Sequence, residues 1–360
     1  MRPLSKHEAP IISQVQDPAK PPLFLFGFSR WKSYVRDWFP DAKLIFSRPV
    51  LLPFEFDLYW KRQLLRDPRT RVLAWQYRGP PQLKAFCARQ GIPFHYAEDG
   101  FIRSVALGAL RVPPLSLTFD KQDMFFNANG PSDLEDILRT YDFASDRLLM
   151  HRARIIREQL LTSRLSKYNS GKSLDIALVY GKKTQRRVLV IGQVERDASI
   201  AYGCSKKVTN NDLVRLAASE NPDAQIIYKP HPEVLKGTAK AKSNPERVRD
   251  LAMILTQDIS LADALETIDH VYTITSLSGF EALLRSIKVT TVGCPFYSGW
   301  GLTDDRQPNS RRNRKLSIDE VFAAAYILYA RYLDPVTKTP IEIEDALDVL
   351  ARMRAEQLIA

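Results

Sequence analysis

The sequence predicts an α/β protein of two lobes, each a mainly parallel sheet with helical crossovers. Three observations carry that expectation. Short apolar runs alternate with segments of helical periodicity in two separate series. A polar stretch at 168–185, containing Asn169 and Gly171, separates the two series. A chain of 360 residues that is 45% hydrophobic can also bury two cores of ordinary domain size.

Residues 1–22 are polar and proline-containing and read as an extension. The first lobe, 23–180, has apolar runs at 23–26, 44–46, 72–75 and 93–96, spaced as parallel strands with crossovers. Between Ser116 and Phe126 two β-rich runs flank the turn-forming Asp120-Lys121-Gln122-Asp123, which predicts an added hairpin. From Ser132 to about Lys167 the pattern is helical, with Leu134, Ile137 and Leu138, then Ile155, Ile156 and Leu160, on recurring faces. The second lobe, 181–316, repeats the alternation, with strands expected at 188–191, 225–228, 253–255, 271–275 and 289–292. Residues 317–360 read as two helices separated around Pro335 to Pro340.

Cys87, Cys204 and Cys294 are far apart, with no CxxC pair, and read as reduced small hydrophobes of a cytoplasmic protein. No signal-peptide core opens the sequence, and no window holds about 18 consecutive apolar residues. The net charge of +11 favours anionic partners. Nucleic acid is not expected among them, because the basic residues are dispersed and no recognition-helix, finger or RNP-type pattern accompanies the clusters at 182–187 and 311–315. Peripheral contact with an anionic membrane surface stays open.

In open α/β sheets ligands bind beyond the carboxyl ends of strands, so the polar loops there are the candidates for chemistry. Gly192-Gln193-Val194-Glu195-Arg196-Asp197 follows the strand at 188–191 and offers a positioned carboxylate; Asp197 can equally cap the turn that follows. Lys229-Pro230-His231-Pro232 holds an imidazole between prolines, suited to a phosphate. In Ser276-Leu277-Ser278-Gly279-Phe280-Glu281, small hydroxyl residues open a helix whose amide end attracts an anion. Pro295-Phe296-Tyr297-Ser298-Gly299-Trp300 places aromatics between turns, suited either to stacking on a sugar or base or to packing between lobes. In the first lobe, Glu98-Asp99-Gly100-Phe101-Ile102-Arg103-Ser104 combines two carboxylates with an Arg able to pair with an acidic sugar. There is no Walker A motif, no GxGxxG and no Asp-x-Asp.

Taken together and in chain order, with Glu98–Ser104 first and then the loops at 192, 229, 276 and 295, these five motifs resemble the capsule polysaccharide synthesis family, whose characterised members are retaining β-Kdo transferases; the resemblance covers roughly residues 23 to 310. It implies a GT-B-like architecture, two Rossmann-like lobes with a cleft between them and C-terminal helices. The acceptor would sit on the N-terminal lobe and CMP-β-Kdo on the C-terminal lobe, with neither cofactor nor metal. On this resemblance Asp197 is the catalytic carboxylate, and Glu98 or Asp99 moves the acceptor proton. Gln193, Lys229, His231, Pro232, Ser276, Ser278, Gly279 and Glu281 hold the donor, and Arg103, Ser104, Tyr297 and Trp300 contact the substrate. The implied acceptor is a glycan or glycolipid, and other polysaccharide-assembly enzymes are implied partners. Many family members carry two such modules, whereas this chain has the length of one. Two other readings fit the same loops: an inverting CMP-sugar transferase of sialyl type, and a non-catalytic glycan-binding or export-assembly protein.

Overall fold

The structure, a computed structural model, describes residues 20–105, 112–167, 169, 174–235, 243–257 and 259–359. The first half supplies strands β1 (Pro22–Phe26), β2 (Lys43–Phe46), β3 (Arg71–Trp75), β4 (Phe94–Asp99) and β5 (Ser116–Asp120). The second half supplies β6 (Arg187–Ile191), β7 (Gln225–Lys229), β8 (Met253–Ile254), β9 (His270–Thr273), β10 (Lys288–Thr291) and β11 (Asp304–Asp305). Two more strands, β12 (Ala330–Leu333) and β13 (Pro340–Ile341), lie near the C-terminus. One sheet has the order β13-β12-β5-β4-β3-β1-β2, the other β11-β10-β9-β6-β7-β8.

The central strands β1 and β6 are buried along their whole length, as expected when helices cover both faces of a parallel sheet. Alternation sorts their side chains to opposite faces. Phe24 and Phe26 pack with Trp60, Leu64 and Phe86, whereas Leu23 and Leu25 pack with Val35, Trp75 and Leu117. In β6, Val188 and Val190 face Leu213, Val214 and Ala217 of the Asn210–Glu220 helix, while Leu189 and Ile191 turn inward to the largest core. That core joins the halves: Phe101 and Leu115 from the connection between β4 and β5, Val271 and Val289 from the second sheet, and Phe322 and Tyr326 from the C-terminal segment belong to one apolar cluster.

Two expectations need correction. The hairpin at 116–126 is a single strand, β5, because the Asp120 carboxylate accepts the amide hydrogens of Gln122 and Asp123 at 2.9 and 3.0 Å and of Asp133 at 2.9 Å, which winds the following residues into turns. The C-terminal segment is not two helices alone. After the Ile318–Phe322 helix and a π-helical stretch at Ala323–Tyr329, β12 pairs antiparallel with β5 and β13 with β12, before the Ile343–Ile359 helix. β5 would otherwise end the sheet with unpaired amide and carbonyl groups, and β12 satisfies them. The chain from 317 onward therefore completes the first sheet from the far end of the sequence.

An ionic cluster ties the first half to the second. Glu135, on the Asp133–Thr140 helix, accepts from Arg311 Nε at 2.5 Å and from Arg312 Nε at 3.0 Å, and Glu135 and Arg312 are almost fully buried. Arg312 continues to the carbonyls of Pro295 and Ser298, and its guanidinium lies over Trp300. Replacing Glu135 by Ala leaves a buried guanidinium without its counter-ion, so the expected loss is about 3–5 kcal/mol. Urea unfolding of Glu135→Ala should show it as a large fall in midpoint; a near-wild-type midpoint would show that the cluster does not hold the halves together.

Candidate active site

The carboxyl ends of β6, β7 and β9 open onto a cavity of about 270 Å³ that lies between the two sheets. Its second-sheet wall is made by Gly192–Val194, Lys229–Pro232 and Thr275–Ser278, and Pro295–Tyr297 closes one side. From the first half come Gln76 beyond β3, Glu98 on β4, and Phe125 and Phe126, with Ser166 and Lys167 reaching in from the connection between halves.

The loop after β6 is held by its own polar side chains. Gln193 Oε1 accepts the Thr275 amide hydrogen at 2.7 Å and its Nε2 donates to Thr275 Oγ1 at 3.1 Å, joining the first and third loops. Glu195 is buried and accepts from the amide of Asn210 at 2.8 Å and the hydroxyl of Ser243 at 2.6 Å. These bonds fix the path to Asp197, which is exposed at the cavity wall and caps the Ala198–Gly203 helix, its Oδ1 accepting the Ser199 amide hydrogen at 2.7 Å. The capping role foreseen for Asp197 is present, and the carboxylate also lines the cavity.

His231 stands at the end of β7 with a proline on each side. Its Nδ1 accepts the Glu233 amide hydrogen at 3.2 Å, which leaves the proton of the neutral ring on Nε2. Burial pulls its pKa down to about 4, against a smaller opposing pull from Asp197. His231 is therefore a neutral N–H donor at physiological pH. Beside it, Lys229 is buried and donates to the Ile259 carbonyl at 3.0 Å.

The third loop enters the Leu277–Leu284 helix with Ser276 as its cap, the Ser276 hydroxyl accepting the Ser278 amide hydrogen at 3.2 Å. Tyr297 donates to the Ser276 carbonyl and packs so closely on Gly279 that a Cβ there would collide with its hydroxyl. One turn on, Glu281 is buried at the cavity wall. Its Oε1 accepts the Lys167 amide hydrogen at 3.2 Å, while its Oε2 is buried without a hydrogen-bond partner. Burial pushes the Glu281 carboxyl up to about 7, with Arg285 and Lys167 opposing. Across the cavity Glu98, which accepts from Gln76 and from the Asp99 amide, is likewise pushed up to about 7 by burial and by the neighbouring Asp99, Lys167 again opposing. Lys167 thus acts electrostatically on a carboxyl of each lobe.

Of the residues singled out by sequence, Asp197, Glu98, Gln193, Lys229, His231, Pro232, Ser276, Ser278, Glu281 and Tyr297 line this one cavity. Asp99, Arg103, Ser104, Gly279 and Trp300 are not among its lining residues. Arg103 is fully buried and spends its guanidinium on Asp99 Oδ2 at 2.7 Å and Ser104 Oγ at 2.9 Å, which braces the turn after β4. Trp300 is buried with its Nε1 donating to the Phe296 carbonyl at 2.8 Å. Sequence reasoning passed over Lys167 and Gln76, single polar residues outside the motifs that tertiary contacts bring to the cavity. Among the described residues no group of three His, Cys, Asp or Glu is placed to hold a metal ion.

Two α/β lobes facing across a cavity at their strand ends define a GT-B-like fold. The family profile described as "Capsule polysaccharide biosynthesis protein" matches residues 70–332, and the chain belongs to that family. It is 44% identical over 336 residues to the lipopolysaccharide-processing protein LpsZ of Rhizobium meliloti, covering 92% of this chain and 74% of that protein. It is 38% identical over 347 residues to the capsule polysaccharide modification protein LipA of Neisseria meningitidis serogroup B, covering 96% of this chain and 48% of LipA, so it spans about half of that relative. Among solved structures, the KpsC β-Kdo 2,4-transferase of Thermosulfurimonas dismutans superposes with a TM-score of 0.77 at 31% identity, covering 92% of this chain and 98% of that one. The KpsC β-Kdo 2,7-transferase of the same organism gives 0.70 at 28%, covering 92% and 99%.

The two raised carboxyls give stability a sign with pH. Between the ordinary Glu value of 4.5 and about 7 the folded chain retains protons that the unfolded chain releases, so these groups make stability fall as pH rises through that window. Glu98→Gln and Glu281→Gln should each flatten the fall, read as the difference in urea midpoint between about pH 5 and pH 7.5. An undiminished difference in both variants would show that neither carboxyl carries the raised value.

Proposed function

We propose that this chain transfers Kdo from CMP-β-Kdo to a glycan or glycolipid acceptor, with retention of configuration, in the assembly of a capsule or other surface polysaccharide. The observation that carries the reading is the convergence of Asp197, His231 and Glu98 on one cavity from adjacent strands β6 and β7 and from the opposite lobe. The family and the two KpsC transferase folds support it.

In this reading the donor phosphate meets the Nε2–H of His231, the charge of Lys229 and the amide end of the Leu277–Leu284 helix, so protein donors rather than a divalent metal stabilise departing CMP. Asp197 attacks the anomeric carbon as the bond to the CMP oxygen breaks. Its cap bond through Oδ1 orients the carboxylate, and negative charge beside an oxocarbenium-like centre lowers the barrier. The acceptor hydroxyl then displaces the enzyme ester and gives its proton to Glu98, whose value near 7 suits proton uptake and release at neutral pH. That same value favours one rival, direct inverting attack with Glu98 as base. Mass spectrometry of the protein mixed with CMP-Kdo separates the two, since only double displacement leaves a Kdo ester on Asp197.

His231→Ala should weaken CMP binding by about 1.5–3 kcal/mol, the range for a hydrogen bond to a charged group, while altering folding little. Equal CMP affinity of wild type and variant by calorimetry would remove His231 from the donor site. Asp197→Asn should fold normally, keep CMP affinity within about a few fold, and lose several orders of magnitude in turnover. Asp197→Ala should additionally cost roughly 0.5–2 kcal/mol of stability through the lost cap. A stability loss in Asp197→Ala with near-normal transfer per folded molecule would leave Asp197 a cap and nothing more.

A further inference from the structure

A second feature lies on the first lobe, away from the cavity. Among the described residues, six of the thirteen exposed large apolar side chains fall within positions 50–65: Val50, Leu52, Phe54, Leu58, Tyr59 and Leu65. Val50 is 81% exposed and Leu58 68%. The same segment has an inward side, where Phe56, Trp60 and Leu64 pack on Phe24, Phe26 and Phe86. The outward apolar residues are therefore displayed by a helical stretch anchored in the core, from Pro53–Glu55 through Phe56–Trp60 to Lys61–Leu64.

The charges around them are mainly basic. Positions 48–69 carry Arg48, Lys61, Arg62, Arg66 and Arg69 against Glu55, Asp57 and Asp67. Each acid is matched by a base at contact distance: Glu55 by Arg48, Asp57 by Lys61 and Asp67 by Arg69. Arg62 and Arg66 are exposed and carry the excess positive charge. Apolar side chains on a polar, basic element, with a Tyr at its flank, make up the composition that lies in a bilayer interface. Apolar side chains enter the acyl boundary while the guanidiniums meet anionic headgroups, within the field of a chain of net charge +11. A protein partner of ordinary interface size would instead call for a broad patch depleted of charge at its centre.

Placement strengthens the case. Strands β1 to β4 are mutually parallel, so the segment leaving β2 starts at the same carboxyl end of the strands as Gln76 and Glu98, with β2 at the outer edge of the sheet. We propose that the Val50–Leu65 segment docks the first lobe on an anionic lipid bilayer, with the apolar side chains inserted and Arg62 and Arg66 at the headgroups.

The test is co-sedimentation of the full chain with phosphatidylcholine vesicles and with vesicles containing about 30 mol% phosphatidylglycerol. The wild type should partition at least about tenfold more strongly onto the anionic vesicles and be released by salt. Phe54→Ser/Leu58→Ser and Arg62→Glu/Arg66→Glu should each lower that partition by about tenfold or more with unchanged melting, because all four side chains point away from the core. Equal partition onto both vesicle types, or undiminished binding by both double variants, would overturn the proposal. So would a halving of solution mass in Phe54→Ser/Leu58→Ser with unaltered vesicle binding, which assigns the patch to a second copy. Transfer of Kdo to a water-soluble acceptor should be the same in the variants as in the wild type. If the wild type transfers no Kdo yet binds vesicles as described, the docking surface stands and the functional reading fails separately.

Discussion

The Glu135 carboxylate is the constraint on which the rest of the molecule depends. It sits on a helix of the first half yet neutralises two arginines of the second, and Arg312 extends the connection to the carbonyls of Pro295 and Ser298. The loop so held carries Phe296 and Tyr297 into the cavity wall, and Tyr297 reaches the carbonyl of the helix-capping Ser276. One buried charge is thus connected, through two side chains and a loop, to the end of the helix proposed to meet the donor phosphate. Removing such a charge from water is costly unless every oxygen is matched, which is why the cluster has one arrangement rather than several.

Burial sets the charge states around the cavity. A wall that pulls His231 down to about 4 and pushes Glu98 and Glu281 up to about 7 leaves the imidazole neutral and the two carboxyls only partly ionised at neutral pH, beside Lys229, Lys167 and the exposed Asp197. An anionic ligand would meet a neutral N–H donor, a lysine and a helix terminus, with less repulsion from Glu98 and Glu281 than fully ionised carboxylates would exert. The loops themselves are rigidified by cross-bonds, Gln193 to Thr275 and Glu195 to Asn210 and Ser243, so the geometry exists before a ligand binds.

Membership of the capsule polysaccharide biosynthesis family and the shared fold agree with the order of motifs along the chain. The two halves of that order are unequal in what they reveal. The second-lobe loops each follow one strand, so adjacent parallel strands bring them together automatically. The first-lobe motif splits instead: Glu98 faces the cavity, while Asp99, Arg103 and Ser104 brace one another behind it. Alternation along β4 sends consecutive carboxylates to opposite sides, and only the pleat of the folded strand says which side is the cleft.

The sequence by itself determined most of the parallel strands, because continuous apolar runs bounded by turn residues reflect burial on both faces and need no distant partner to be recognised. It also picked out the second-lobe loops that line the cavity, whose Lys229-Pro230-His231-Pro232 and Ser276-Leu277-Ser278 patterns are local. Tertiary structure alone decided that residues 330–341 complete the first sheet and that Lys167 lies near both Glu98 and Glu281. Both depend on groups far apart in the chain whose meeting is set by packing, and no local pattern of polarity encodes so distant a contact; the turn made by Asp120 is local, but one carboxylate in a run of turn-forming residues does not say whether a second strand follows.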